Sequence, residues 1–224
     1  MKRLFVVAVF VGEIDSGIGV SEKQSENIIT LETFEADPLK GFPVHWESRG
    51  DKDEAKKIYW IEQEEGNKFL HARAGKHAIQ IGLARVVAPQ QFPQLRWRWR
   101  AKQLPSGSDE RTAATYYSAA GVYVIFDSRI VPRILKYVWS ATLPVGSRLQ
   151  NPFYSRGQTI VLESGSSALG QWQQETVNFY QDYKDCFARE PDEVLGIGLL
   201  TSADLTKSEA VADYDDFTLL PADK

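Results

Sequence analysis

Residues 95–100 read LRWRWR, the sharpest alternation of apolar and charged positions in the chain. Successive side chains of a strand point to opposite faces, so Leu95, Trp97 and Trp99 share one face and Arg96, Arg98 and Arg100 the other. Two indoles on one face are placed to fill the middle of a core. The guanidiniums repeat about every 7 Å along the strand and need anions opposite them, from neighbouring strands or from a ligand. Short runs of the same kind, bounded by turn residues, recur at 28–34, 44–47, 58–63, 68–73, 79–86, 122–126, 133–140, 159–163, 172–177, 194–201 and 213–220.

These runs follow one another too closely for parallel crossover helices, and Glu64-Glu65-Gly66-Asn67 reads as a hairpin turn. Residues 122–126 and 194–201 are apolar on both faces, as central strands between two layers are. Only 179–187 has helical spacing, with Phe179, Tyr180, Tyr183 and Phe187. The charge-rich stretch 49–57 and the segment 104–114 read as solvated loops. The pattern predicts an all-β, antiparallel, jelly-roll-like β-sandwich of about eleven strands with one short helix near 179–187. One such domain is expected over 28–224, behind a segment 1–27 in which Lys2 and Arg3 precede the apolar run 4–11. That start resembles a secretory signal, which implies a periplasmic or secreted protein.

Composition narrows the function classes. The net charge is −4 with a quarter of the residues charged, which gives no basic footprint for nucleic acid. A single cysteine, Cys186, excludes an internal disulfide and a multi-cysteine metal site. No further apolar run approaches the ~20 residues of a membrane span. Nucleophile-elbow, zinc-protease, phosphate-loop and dinucleotide patterns are all missing, and His45, His71 and His77 read as surface histidines.

The succession TFEADPLKGFP, LRWRWR, DER, GVYVIFD, LKYVW, W-x-x-E-T-V-N-x-x-x-D-Y, IGLLTSAD and ADYDDFTL resembles the bacterial family of unknown function DUF3047, over residues 28–220. The resemblance implies an exported protein whose activity is unassigned. A looser likeness, to jelly-roll carbohydrate-binding modules, rests on the Phe-Glu opening strand and the Tyr-x-Asp closing strand.

Three readings stay open. The first is non-catalytic recognition of a carbohydrate or envelope polymer, an acidic one suiting Arg96, Arg98 and Arg100, with Tyr137, Trp139 and Trp172 as stacking aromatics. Tyr116, Tyr117, Tyr123 and Tyr154 are further aromatics near loops. The second is a glycan-cleaving enzyme that pairs Glu175 with Glu163 or Asp182; glycoside hydrolysis needs two carboxyls ~5–10 Å apart. The third is a structural envelope protein without a groove, its arginines paired to Glu163, Glu175 or Asp182. Oxygen ligands from Glu35, Asp215 and Asp216 would suit calcium if the first and last strands pair, with Asp204 a further oxygen donor. No other cofactor is expected.

Overall fold

A computed structural model of the chain describes residues 28–75 and 77–222; the expected signal and tail, 1–27, lie outside the described residues. In order the elements are β1 (Ile29–Glu32), β2 (Glu47–Ser48), α1 (Lys52–Ile58), β3 (Tyr59–Glu64), β4 (Asn67–Ala74), β5 (Ile81–Val87), β6 (Gln94–Gln103), β7 (Ala120–Phe126) and β8 (Arg133–Ser140). The second half continues with β9 (Arg148–Gln150), β10 (Gly157–Ser164), β11 (Gln173–Asn178), α2 (Phe179–Phe187), β12 (Val194–Leu199) and β13 (Ala210–Leu220). One sheet runs β11-β6-β13-β4-β3, with β1 added on β13; the other runs β2-β5-β12-β7-β8-β10-β9. Together they form a jelly-roll-like β-sandwich.

The alternation in β6 sorts its side chains as expected. Leu95, Trp97 and Trp99 are fully buried between the sheets. Trp97 packs against Tyr137 with ring centroids 5.9 Å apart, and Trp99 against Trp139 at 6.1 Å, so β6 and β8 face each other across the core. The β3–β4 hairpin turns on Glu65 (φ 53°) and Gly66 (φ 88°), the paired positive φ values of a two-residue type I′ turn. Gly196, at the bulge of β12, sits where an added Cβ would lie 2.3 Å from the Leu83 carbonyl oxygen, so only glycine lets β5 approach there.

Three features differ from the expected pattern. β8 and β10 pair in parallel, because the excursion 141–156 is long enough to bring the chain back in the same direction. The stretch read as a charged loop contains α1, capped by the Asp51 carboxylate on the Asp53 and Glu54 amides and anchored by buried Ala55 and Ile58. Its two apolar positions are hidden among lysines and acids. The helix α2 spans the expected residues, with Asn178 capping its start.

The segment 104–114 is no surface loop throughout. It lies against the outer face of the second sheet, where Glu110 is fully buried and accepts hydrogen bonds from Ser118 (2.7 Å) and Ser140 (2.6 Å). Tyr116 reaches the Thr159 hydroxyl on β10 at 2.6 Å. Beneath this cover lies Lys136, 1% exposed, its ammonium 4.5 Å from the centroid of the Tyr116 ring and 5.6 Å from that of Tyr123. Burial lowers the Lys136 pKa to about 8, against the pull of Glu110.

Candidate functional site

The outer face of the first sheet carries the arginine row. β6 lies between β11 and β13, and Arg98 is opposite Asp215 and Arg100 opposite Asp213 in register. Arg100 Nε donates to Asp213 at 2.6 Å, and its Nη2 pairs with Glu64 at 2.7 Å. Arg98 Nη2 donates to Asp215 at 2.7 Å, and its Nε pairs with Asp216 at the same distance. The positive φ of Asp216 (55°) belongs to the bulge in β13, which turns that carboxylate towards Arg98. Lys102 stands 3.4 Å from Asp213, and His71 Nδ1 is hydrogen-bonded to the same carboxylate at 2.6 Å. An ionised carboxylate accepts only, so His71 presents its Nδ1–H to Asp213.

These contacts set the charge states. Burial would raise the Asp213 carboxyl, but hydrogen bonds and charge from His71, with Arg100 and Lys102, hold it below the usual aspartate range. At Asp215 burial wins and pushes the pKa up to about 6, despite the Asn67 hydrogen bond and the Arg98 charge, with Asp216 adding repulsion.

Trp172, just ahead of β11, lies over this network. The guanidinium carbons of Arg98 and Arg100 are 5.2 Å and 4.6 Å from its ring centroid, and Phe69 meets it edge-on at 5.5 Å. A cleft of about 410 Å³ opens there, lined by Glu64, Glu65, Asn67, Phe69, Arg98 and Trp172. It joins one half-exposed indole, held from beneath by cations and a phenyl edge, to carboxylate, amide and guanidinium groups at its rim. That combination of an apolar surface and a few convergent polar groups suits a small polar ligand.

Of the residues singled out from sequence, the structure brings Arg98, Arg100 and Trp172 into one site, with Arg96 on the same face. Tyr137 and Trp139 are corrections: both are fully buried between the sheets, where Tyr137 donates to Asp182 at 2.9 Å and Trp139 Nε1 to the Gly165 carbonyl at 3.0 Å. They are core residues, out of a ligand's reach. The expected arginine partners are corrected too. Glu175 accepts from Trp99 Nε1 with Glu163 nearby, and Asp182 takes Tyr137 and Arg148 (2.5 Å), while Asp213, Asp215, Asp216 and Glu64 hold the row.

Two of the candidate catalytic carboxyls, Glu163 and Glu175, lie near enough at the sheet margin to influence each other's titration. Glu175 also accepts from Trp99 Nε1 at 3.1 Å. Burial first, then repulsion from Glu163, raises the Glu175 carboxyl, and burial raises Glu163. A group that keeps its proton better when folded adds stability that is lost as pH rises through its folded pKa. Glu175 therefore adds stability that grows from neutral pH down towards the ordinary glutamate pKa, in the same sense as Asp215. Chemical-denaturation curves across that range should show the wild-type advantage over Glu175→Gln growing as pH falls; a difference that stays constant with pH would mean the Glu175 carboxyl titrates as it does in the unfolded chain.

The calcium candidates are not assembled. Glu35 accepts from the Lys68 amide at 3.0 Å, Asp215 and Asp216 are committed to Arg98, and no three acidic, histidine or cysteine groups among the described residues are grouped to hold a metal ion. Sequence reasoning missed Phe69, Asn67, Glu64 and Glu65. The available clue was the hairpin itself: a tight turn ending beside the first sheet carries its flanking side chains to that face in alternation. Of the other loop-side aromatics, Tyr116, Tyr117 and Tyr123 are buried on the second sheet, with Tyr154 packed beside them.

The molecule is thus a β-sandwich with an aromatic-floored polar cleft on one sheet face. The chain belongs to the family described as "Protein of unknown function (DUF3047)", which matches residues 44–218. No curated protein matches the sequence. Among solved structures it is similar to the family 30 carbohydrate-binding module of a cellulosomal cellulase of Clostridium thermocellum, at 11% identity and TM-score 0.47, over 88% of this chain and 99% of that one. It is similar also to TmCBM61 solved with β-1,4-galactotriose (11%, TM-score 0.40, 87% and 99%). The third is the Emp47p carbohydrate recognition domain (11%, TM-score 0.45, 87% and 95%).

Proposed function

We propose that the protein binds a carbohydrate without cleaving it, a sugar ring stacking on Trp172 in the cleft of the first sheet. The observation that carries this is the fixed posture of that indole: Arg98, Arg100 and Phe69 hold it at the rim of a 410 Å³ cleft. A flat indole face matches the C–H face of a pyranose, and Asn67, Glu64, Glu65 and Arg98 supply donors and acceptors for ring hydroxyls. Arg98 and Arg100 are each neutralised by two carboxylates, so their main part is to orient the platform. Neither Glu163 nor Glu175 lines the cleft, which argues against hydrolysis there, and the cleft argues against a purely structural role. A glycan ligand accords with the export reading of the N-terminal run; among the described residues no helix is long and apolar enough to cross a membrane.

The test is a glycan-array screen followed by calorimetry on any hit. Trp172→Ala should lower affinity about tenfold, the worth of one good stacking contact, while the melting temperature changes little. Retention of full affinity by Trp172→Ala, or no glycan bound by wild type, would sink the reading.

A further inference from the structure

Arg98 and Arg100 each hold two carboxylates, and Arg96 holds none among the described residues. Its register neighbours are Thr176 on β11 and Thr218 on β13, with Thr30 of β1 beyond Thr218. Threonine hydroxyls line this end of the row, where aspartates line the rest, and Thr30 and Thr176 are exposed. The closest carboxylates along β13, Asp215 and Asp216, are both engaged by Arg98. Arg96 is half-buried, two residues from Arg98 and on the same face, which puts it about 7 Å further along the strand from the wall of the Trp172 cleft. A guanidinium keeps its charge at all physiological pH and offers a planar fork matched to carboxylate or sulfate oxygens.

We propose that Arg96, with the flanking threonine hydroxyls, is an anion subsite of the carbohydrate cleft, and that the ligand is a glycan bearing a carboxylate or sulfate next to the sugar stacked on Trp172. This rests on the carbohydrate-binding reading and adds a substrate class to it. The internally neutralised part of the row takes hydroxyls, and the unpaired end takes the charge. The protein therefore discriminates an acidic glycan from its neutral counterpart through one residue, without a general attraction to polyanions.

Two matched probe pairs test this by calorimetry at low salt: polygalacturonate against its carboxyl-reduced form, and a carrageenan against its desulfated form. Wild type should prefer the acidic member of at least one pair by about fivefold, the worth of one partly exposed charge contact. The preferred pair identifies the anion as carboxylate or sulfate. Arg96→Gln should erase that preference by weakening the acidic member more than the neutral one, Arg96→Lys should restore part of it, and added salt should weaken the acidic member more than the neutral one. Trp172→Ala should weaken both members alike. Equal binding of both members by wild type, or an Arg96→Gln protein that keeps the preference, would overturn the subsite and leave the platform standing. Undiminished binding of both members by Trp172→Ala would overturn the platform and the subsite together, and no binding of wild type to any of the four would overturn the subsite.

Discussion

Asp213→Ala is expected to destabilise the protein by about 3–5 kcal/mol at pH 7, the usual consequence of removing one partner from a buried charge cluster. The Asp213 carboxylate is wholly buried and serves His71, Arg100 and Lys102 at 2.6, 2.6 and 3.4 Å. Without it the Arg100 side chain, only 8% exposed, keeps Glu64 alone, Lys102 loses its counter-ion and His71 Nδ1–H loses its acceptor. Urea denaturation at pH 7 measures the loss, with the slope expected to stay at its wild-type value. The linkage has a definite sign: a carboxyl held below its unfolded pKa stabilises above that value and loses its contribution as pH falls through the folded pKa. The deficit of Asp213→Ala should therefore shrink in acid. A loss under about 1 kcal/mol, typical of exposed ion pairs, would mean that Arg100 is held from solvent and not from the core. Binding should fall too, since the Trp172 ring rests on Arg100.

The division of β6 into a core face and an arginine face was readable from alternation alone, because strand side chains obey a period of two whatever their partners. The partners were not readable. Asp213, Asp215 and Asp216 lie more than a hundred residues from Arg98, and which strand is β6's neighbour depends on sheet order, which carries no local signature. The same acidic run looked like a charged strand end suited to calcium, yet β13 lies inside the sheet, between β6 and both β4 and β1. Tyr137 and Trp139 illustrate the converse problem. On a strand with apolar residues on both sides, alternation cannot say which face meets the opposite sheet, and they are the ones that do. Trp172 was recognisable as an aromatic close to a strand end, but its underlay of Arg98, Arg100 and Phe69 exists only once β11, β6 and β4 stand side by side. That Arg96 has no carboxylate partner among the described residues likewise emerges from register, with threonines opposite it where its fellows meet aspartates.

Lys136 was the residue least visible in advance, because a lysine alternating with apolar residues on a strand ordinarily faces solvent; the segment 104–119 covers it instead. Its consequence for stability is large and has an unusual direction. Below pH 8 the folded protein carries the ammonium in an aromatic enclosure. Between pH 8 and the unfolded lysine value of 10.5 the native state has shed that proton while the unfolded chain keeps it. The unfolded state then binds more protons, so this group makes stability rise with pH. A shift of this size is worth about 3 kcal/mol across the window at 1.36 kcal/mol per unit. Tyr59, Tyr116, Tyr137 and Tyr214 act in the opposite sense, since burial raises each of them and their neutral forms are favoured in the fold. The clean measurement is therefore the difference between wild type and Lys136→Met from pH 7 to 9.5, below the tyrosine range. Wild type should gain about 2 kcal/mol on the variant over that interval, most of the linkage worth of one buried lysine. Lys136→Met leaves Glu110 buried with only Ser118 and Ser140 as donors, so Lys136→Met combined with Glu110→Gln separates the loss of counter-charge from the relief of desolvation. If the double variant is more stable than Lys136→Met at pH 7 and both lack the alkaline gain, Lys136 and Glu110 act as a coupled buried pair. A wild-type-minus-variant difference that stays constant with pH would place the Lys136 ammonium in contact with water and leave the cover of the second sheet held by Glu110 alone.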